Sequence, residues 1–106
     1  MLYESVAFKE TKQIEKVLRS SEAIFRYCTF ESASIDGGNF DGVFIACEFC
    51  DLDLYWGLFN SALFVDCRFE RCTFRGTSFS GCRFMECTFA ECHFLKDNLA
   101  ASCAAP

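Results

Sequence analysis

The sequence lacks any run of eighteen consecutive apolar residues, and its first twenty residues lack the hydrophobic core of a secretory signal. A helix that crosses a membrane needs about 20 predominantly apolar residues, and a signal peptide needs an apolar central region. We therefore predict a protein that is soluble and cytoplasmic and that does not associate with a membrane.

Histidine is almost absent, since His93 is the only one in 106 residues. The chain also lacks a phosphate-binding glycine loop, the spacing of zinc ligands and a pair of carboxylates suited to acid–base chemistry. We therefore predict a protein that is not an enzyme and that has no catalytic residue, no metal site and no cofactor.

The chain also has no excess of positive charge. It contains ten Lys and Arg residues and fifteen Asp and Glu residues, which give a formal net charge of −5. The imbalance belongs to residues 23–106, which hold eleven acids and six bases, whereas residues 1–22 hold four of each. A mildly acidic protein repels polyanions. We therefore predict no binding of nucleic acid.

What the chain has in abundance is phenylalanine, at fourteen residues. Thirteen of them and three aliphatic residues form sixteen positions that recur every fifth residue between Phe25 and Leu99, with a single step of four between Phe40 and Phe44. A second column, two residues before each large residue, is mostly Cys, Ala and Gly. A period of five fits neither a helix nor a flat strand. A short internal repeat of this kind indicates a solenoid.

The geometry of the predicted coil follows from turning one large and one small side chain inward in every five residues. Each side of the coil is then one unit of five, and the corner falls on the two residues after the large one. Four sides close a turn of twenty residues, so sixteen units make four coils. Four coils at a strand spacing of about 4.8 Å form a rod roughly 20 Å tall.

Three units show the repeat most clearly, namely Cys67–Arg71, Cys72–Gly76 and Cys87–Glu91, each a small residue, a polar residue, Phe and two variable residues. These units resemble the pentapeptide-repeat proteins, and the resemblance covers about three quarters of the chain. It implies an all-β solenoid, a right-handed quadrilateral β-helix of about four coils. We assign the repeat to residues 23–101 and a C-terminal tail to residues 102–106.

Residues 1–22 precede the regular repeat and are predicted to form an N-terminal capping segment. Between Lys9 and Arg19, the apolar residues Ile14, Val17 and Leu18 are spaced as on one side of a short amphipathic helix. An open solenoid end needs a cap, so the helix is expected to cover coil one. Two alternatives are a helix that binds a partner and a degenerate extra coil, in which residues 6–8 form an extended unit.

Cysteine is frequent, with nine residues, and seven of them fall in the small inward column as compact apolar fillers beside the Phe rings. They are Cys28, Cys47, Cys67, Cys72, Cys82, Cys87 and Cys92. The odd number of cysteines and the missing export signal predict reduced thiols.

The sequence Cys47-Glu48-Phe49-Cys50 has the C-x-x-C spacing of many metal and redox sites. In the predicted register Cys47 points inward and Cys50 points outward, so the two sulfurs cannot share a metal ion. Cys50 and Cys103 are the thiols that we expect to react with an alkylating probe in the folded protein.

One predicted side of the coil, whose inward residues are Phe25, Phe44, Phe64 and Phe84, is mostly apolar on its outer surface, and we call it the aliphatic face. Such a patch marks an interface or a surface covered by another segment. Contact with another chain and cover by residues 1–22 are the two interpretations. The candidate contact residues are Ile24, Tyr27, Val43, Ile45, Leu63, Val65 and Met85.

A second candidate contact site is the pair Tyr55 and Trp56 at a corner of coil two, preceded by Asp53 and with Arg75 one coil on. Aromatic and Arg residues are typical interface anchors, although an aromatic corner can also simply pack on its neighbours. The next side after the aliphatic face has mixed charges, and we call it the charged face and expect it to be solvated and crossed by ion pairs. Its charged residues are Glu31, Glu48, Asp51, Arg68, Glu70, Arg71 and Glu91.

After Leu99 the sequence contains nothing amphipathic that could cap coil four. The exposed end predicts a homodimer through the C-terminal coil, as the resemblance also implies. The competing explanation is that the chain is a truncation of a longer solenoid.

Two functions fit these features. The first is a non-enzymatic protein–protein interaction module, such as an inhibitor, immunity or adaptor protein, that binds a protein partner of unknown identity through its outer faces. The resemblance implies the second, a DNA mimic that protects a type II topoisomerase such as gyrase. A mimic needs carboxylates along about 34 Å, one turn of DNA, and the acidic surface here is interrupted by arginines such as Arg68 and Arg75.

Overall fold

The computed structural model describes residues 2–19, 22–56, 58–59, 61–79 and 81–95. The described residues form sixteen strands of two or three residues and one helix. In chain order they are β1 (Leu2–Glu4), β2 (Ala7–Phe8), α1 (Thr11–Leu18), β3 (Ile24–Arg26), β4 (Thr29–Glu31), β5 (Ser34–Asp36), β6 (Asn39–Phe40), β7 (Val43–Ile45), β8 (Glu48–Cys50), β9 (Asp53–Tyr55), β10 (Leu58–Phe59), β11 (Leu63–Val65), β12 (Arg68–Glu70), β13 (Thr73–Arg75), β14 (Arg83–Met85), β15 (Thr88–Ala90) and β16 (His93–Leu95).

From β3 to β13, and again from β14 to β16, consecutive strands lie on successive sides of a coil, and strands one coil apart pair in parallel. Sheet one has the order β1-β3-β7-β11-β14, sheet two β2-β4-β8-β12-β15, sheet three β5-β9-β13-β16, and sheet four contains β6 and β10. The chain is therefore a parallel all-β solenoid of about four coils with one short helix near its N-terminus, which confirms the fold predicted from the five-residue period.

The pairing register matches the predicted coil of twenty residues. Phe44 pairs with Phe25 on one side and with Phe64 on the other, and Phe64 pairs with Phe84. The step of four residues between Phe40 and Phe44 is absorbed at the boundary between coils one and two, so the four sides stay aligned.

The interior consists of stacked Phe rings. Along sheet two, ring centroids lie 4.9 Å apart for Phe30 and Phe49, 4.6 Å for Phe49 and Phe69, and 4.7 Å for Phe69 and Phe89. Rings from neighbouring sheets meet at steep angles, as Phe64 and Phe69 do at 62° and 5.4 Å. Aromatic pairs favour both arrangements. Every large repeat position from Phe25 to Phe79 is buried, as the inward assignment requires.

The corners of the coil use the left-handed backbone conformation, which non-glycine residues rarely adopt. At nearly every described corner the second residue after the inward large one has a positive φ, for example 54° at Tyr27 and 54° at Asp66. The strain is offset by hydrogen bonds between coils, because the backbone N–H of Tyr27 donates to the carbonyl of Ile45 at 3.0 Å and that of Asp66 to Met85 at 2.8 Å.

Among the described corners of the repeat, the one without a left-handed residue is the one where the repeat is a residue short. Gly42 follows Phe40 by two residues but belongs to the small inward column, two residues before Phe44. A Cβ atom at Gly42 would lie 3.0 Å from the Phe44 ring, closer than ordinary van der Waals contact. Glycine at this position therefore allows the shortened corner to close.

The N-terminal segment contributes both strands and a helix. The strands β1 and β2 pair in parallel with β3 and β4, which places a partial coil ahead of coil one. The helix α1 forms where helical spacing predicted it and packs against β5. Its residues Ile14, Val17 and Leu18 are buried in the same core cluster as the Phe rings. A short helix and a partial coil therefore precede coil one, while the assignment of residues 1–22 as a capping segment stays a prediction.

The opposite end of the described solenoid is more open. Phe84, Phe89 and Phe94 in the last coil are partly buried, whereas Phe64 and Phe69 one coil earlier are almost fully buried. Leu99, Cys103 and the predicted tail at residues 102–106 lie outside the described residues. In the described ranges, α1 included, no helix has the length and apolarity needed to cross a membrane.

Candidate functional site

The aliphatic face is the outer surface of sheet one. Side chains before and after each inward residue of this sheet form two rows that run along the solenoid axis, because the strands pair in register. The first row is Leu2, Ile24, Val43, Leu63 and Arg83. The second row is Glu4, Arg26, Ile45, Val65 and Met85. Seven of these ten residues are therefore apolar, and the strand register places them next to one another along the rows.

The residues predicted from the sequence lie on this surface. Tyr27 is 62% exposed, Met85 54% and Ile24 40%, which are high values for large apolar side chains. The other predicted contact residues, Val43, Ile45, Leu63 and Val65, are each half-buried. The structure thus brings these seven residues onto one surface, and whether they bind a partner stays a prediction.

The described part of residues 1–22 does not cover the aliphatic face. β1 extends sheet one at its edge, β2 does the same for sheet two, and α1 lies against β5 of sheet three. The first of these additions lengthens the apolar surface, since Leu2 continues the first row and is 57% exposed. Sequence reasoning missed Leu2 because its strand precedes the regular repeat.

Charged residues bound the aliphatic face at both ends. Glu4 and Arg26 form an ion pair at the end formed by β1 and β3. At the other end, Arg83 ends the first row, and Asp66 and Glu86 occupy corners beside the second row. Within the part of the chain that the structure describes, Arg83, Asp66 and Glu86 make no ion pair. These three charges are therefore available to a partner.

The predicted aromatic corner is present on sheet three. The rings of Tyr55 and Trp56 meet edge to face at 5.9 Å, and Trp56 is 40% exposed with a φ of 61°. Arg75 pairs with Tyr55 one coil on, as expected. The Nε atom of Arg75 is buried and has no hydrogen-bond partner among the described residues. Part of this corner is thus packed and part is exposed, so both interpretations made from the sequence remain open.

The charged face, the outer surface of sheet two, is crossed by ion pairs as predicted. The Arg71 side chain binds both carboxylate oxygens of Asp51 one coil away, at 2.8 and 3.2 Å. Glu70 accepts from Arg71 and from Arg68, the latter at 3.1 Å. The hydrogen bond from Arg71 lowers the pKa of Asp51, and those from Arg68 and Arg71 lower the pKa of Glu70. Most of the charge here is satisfied within the protein.

The inward cysteines act as more than small fillers. The Cys47 thiol donates to the carbonyl of Phe25 in the preceding coil at 3.3 Å, and the Cys72 thiol donates to that of Phe49 at 3.2 Å. Thr77, another member of the small column, donates in the same way to the carbonyl of Leu54 at 3.2 Å. The small column therefore adds hydrogen bonds between coils, a role that residue size alone did not reveal.

Burial is the largest cause of the raised pKa of several of these thiols. Apart from Cys82, the described cysteines form no disulfide bond with one another. Burial raises the pKa of the Cys72 thiol to about 12, which keeps it protonated and unreactive. Cys47 points inward and Cys50 outward, as predicted from the register. Burial, followed by the nearby carboxylates of Glu48, Glu70 and Glu31, raises the pKa of Cys50, so it should react more slowly than a fully exposed thiol.

The residue types that could support catalysis or hold a metal ion are scattered. His93 lies outward on β16, where its paired residue one coil earlier is Thr73. Among the residues that the structure describes, no three His, Cys, Asp or Glu side chains are grouped so that they could hold a metal ion.

Comparison with known proteins identifies the repeat but not a particular relative. A family model described as pentapeptide repeats, with nine copies, matches residues 59–98. This match covers coils three and four, where the five-residue units are most regular. No curated protein matches the chain.

Proposed function

Since the chain carries the repeats of the pentapeptide family, we propose that it is a non-enzymatic interaction module that binds a protein partner through the aliphatic face, with the Tyr55–Trp56 corner as a second contact. The inward residues are occupied by packing, so function must reside on the outer surface and the ends. The protein acts by presenting a rigid surface, as an inhibitor, immunity or adaptor protein does.

The observation that carries this proposal is the exposed double row of aliphatic residues on sheet one. An isolated exposed apolar residue needs no explanation, but a contiguous patch with charged ends is typical of a protein contact. In the described part of the chain, no segment covers it. Burying residues such as Ile24 and Met85 against a partner would gain roughly 25 cal/mol for each Å² removed from water.

The DNA-mimic alternative receives less support from the same surfaces. A mimic must present unpaired carboxylates along a path longer than one turn of DNA, about 34 Å. On the charged face, Asp51 and Glu70 are instead bound by Arg71, and Glu70 also by Arg68. A gyrase supercoiling assay tests this alternative, and we expect neither inhibition of supercoiling nor protection from a quinolone.

The variant Ile45→Asp with Val65→Asp tests the proposal. Two carboxylates in the middle of the second row should abolish retention of the partner in a pull-down from the native cell, while the melting temperature changes little because both side chains point outward. The matched control is Thr73→Asp with Thr88→Asp, which adds the same charge to sheets two and three.

Loss of the partner in the first variant and its retention in the control would support the proposal. Equal retention by wild type and both variants would exclude the aliphatic face as the contact. The homodimer through the C-terminal coil stays a separate prediction, because residues 96–106 lie outside the described residues.

A further inference from the structure

We propose that the outer side of α1 binds an acidic segment of another protein through a stripe of basic residues. The stripe, which we call the basic stripe, consists of Lys9, Lys12, Lys16 and Arg19. It is a different surface from the aliphatic face, so the inference goes beyond the proposed function and does not depend on it. The ligand is defined by its chemistry, as a short run of Asp and Glu side chains.

The basic stripe lies on the side of the helix that faces away from the core. Lys12, Lys16 and Arg19 follow one another by four and three residues, a spacing that places side chains on one side of a helix. The buried Ile14 is two residues from each of these lysines and therefore points the opposite way. All four residues of the stripe are exposed.

Lysine is concentrated on this short segment. Three of the four lysines of the chain belong to the stripe, and the fourth, Lys96, lies outside the described residues. Lys9 and Lys12 make no ion pair within the ranges that the structure describes, whereas Arg19 lies 4.0 Å from Glu15. At least two positive charges of the stripe therefore remain available to a ligand.

The stability of the helix does not explain the stripe. The helix dipole disfavours positive charge near the N-terminus, where Lys9 and Lys12 lie. The first turn contains no acidic residue, and the N-cap residue Glu10 makes no side-chain capping hydrogen bond. Lys12 and Lys16 also repel each other, because like charges four residues apart destabilise a helix. Local rules broken without a gain in stability are typical of a functional site.

The charges around the stripe favour a short acidic segment over an extended polyanion. The helix packs against β5, where Asp36 is exposed, and Asp53 is exposed on the paired strand β9. A DNA duplex or an anionic membrane extends well beyond one short helix. Either would therefore also meet these carboxylates and a chain with a formal net charge of −5. A few Asp or Glu side chains can contact the helix alone.

Titration of the ¹⁵N-labelled protein with a short poly-glutamate peptide tests the inference by NMR. We expect shifts of the backbone amide signals confined to residues 9–19. Binding should weaken as NaCl is added, because salt screens exposed charges. Shifts on the aliphatic face or the charged face in place of residues 9–19 would overturn the inference, and so would the absence of any shift at low salt.

The variant Lys9→Gln with Lys12→Gln separates binding from folding. It should bind the peptide about fivefold more weakly than wild type, since each exposed charge pair contributes little. Its melting temperature, measured by circular dichroism, should be unchanged or higher, because two charges that the helix dipole disfavours are removed. The matched control, Thr73→Asp with Thr88→Asp, lowers the net charge by the same amount and should bind almost as wild type does.

Unchanged peptide binding by the lysine variant would overturn the inference. A lower melting temperature would also overturn it, because the two lysines would then serve the fold. Tighter binding to a short DNA duplex, or to vesicles of phosphatidylserine and phosphatidylcholine, than to the peptide would overturn the acidic segment as the ligand. None of these results affects the proposed function, which the Ile45→Asp, Val65→Asp variant tests on its own surface.

Discussion

The aliphatic face and the charged face are neighbouring sides of one solenoid, with the same parallel pairing and the same stacked inward rings. Their outer surfaces differ completely. On the charged face, Arg71 joins Asp51 across coils and the neighbouring Glu70, so these charges are satisfied within the protein. On the aliphatic face, residues such as Ile24 and Met85 have no such partner and remain exposed. The comparison shows that the inward residues determine the fold, while the outward residues are free to serve binding.

The largest expected effect is on stability, and it concerns the stacked rings that lie beneath both faces. Phe64→Ala beneath the aliphatic face and Phe69→Ala beneath the charged face should each lower the free energy of unfolding by about 3 to 5 kcal/mol, because both rings are 2% exposed or less and stack on rings above and below. Urea denaturation measures the free energy of unfolding of both variants. If only one of the two variants lost stability, the rings beneath the two faces would not contribute equally to the core.

A smaller effect is expected at the aromatic corner, which lies on neither face. Trp56→Ala should weaken partner binding by about 1 to 2 kcal/mol, the range of a secondary interface anchor, and so by less than Ile45→Asp with Val65→Asp. Trp56→Phe, which keeps an aromatic ring, should bind almost as wild type does. Isothermal titration with the identified partner measures the three affinities. Unchanged affinity in Trp56→Ala would restrict the contact to the aliphatic face.

The reactivity of the cysteine thiols tests which side chains point inward and which point outward. Cys50 should react with an alkylating reagent before Cys47, Cys67 and Cys72, but more slowly than free cysteine at pH 7, because its pKa is raised by burial and by neighbouring carboxylates. Mass spectrometry of peptides after timed alkylation measures the order. Early modification of Cys72, whose pKa burial raises to about 12, would contradict the inward assignment.

The smallest effect concerns the ion pairs of the charged face. Asp51→Asn removes a carboxylate whose pKa is lowered by Arg71, so any stabilisation is fully present above the ordinary pKa of 3.8 and is lost as the pH falls through the lowered value. The melting temperature of the variant should lie close to that of wild type at pH 7, since exposed pairs contribute little. The two should converge near pH 2. A difference that widens on acidification would contradict this assignment.

Most of the fold could be predicted from the sequence, because the spacing of the large residues, one in every five, indicates the length of each side of the coil. The twenty-residue coil, the inward rings and the helix containing Ile14 follow from spacing alone. The partial coil formed by β1 and β2 was only one of three alternatives, since Tyr3 and Phe8 alone are too few to establish a period. The left-handed corners could not be predicted, because residues as different as Tyr27 and Arg71 occupy them.

The candidate surface was only partly predictable. The register places Val43, Leu63 and Ile45 outward, and the structure does the same. Whether residues 1–22 would cover these side chains depended on the path of the chain after Phe8. The repeat pattern does not predict that path. The roles of Leu2 and Arg83 at the ends of the first row became visible only when the pairing of β1 and β14 was known.

The most direct test of the aliphatic face as the contact surface is site-specific photo-crosslinking in the native cell. A photoreactive amino acid would replace Ile45 on the aliphatic face or Thr88 on the charged face, and the adducts would be identified by mass spectrometry. We predict one dominant protein adduct from position 45, with none from position 88. No adduct from position 45, or the same adduct from both positions, would contradict the account.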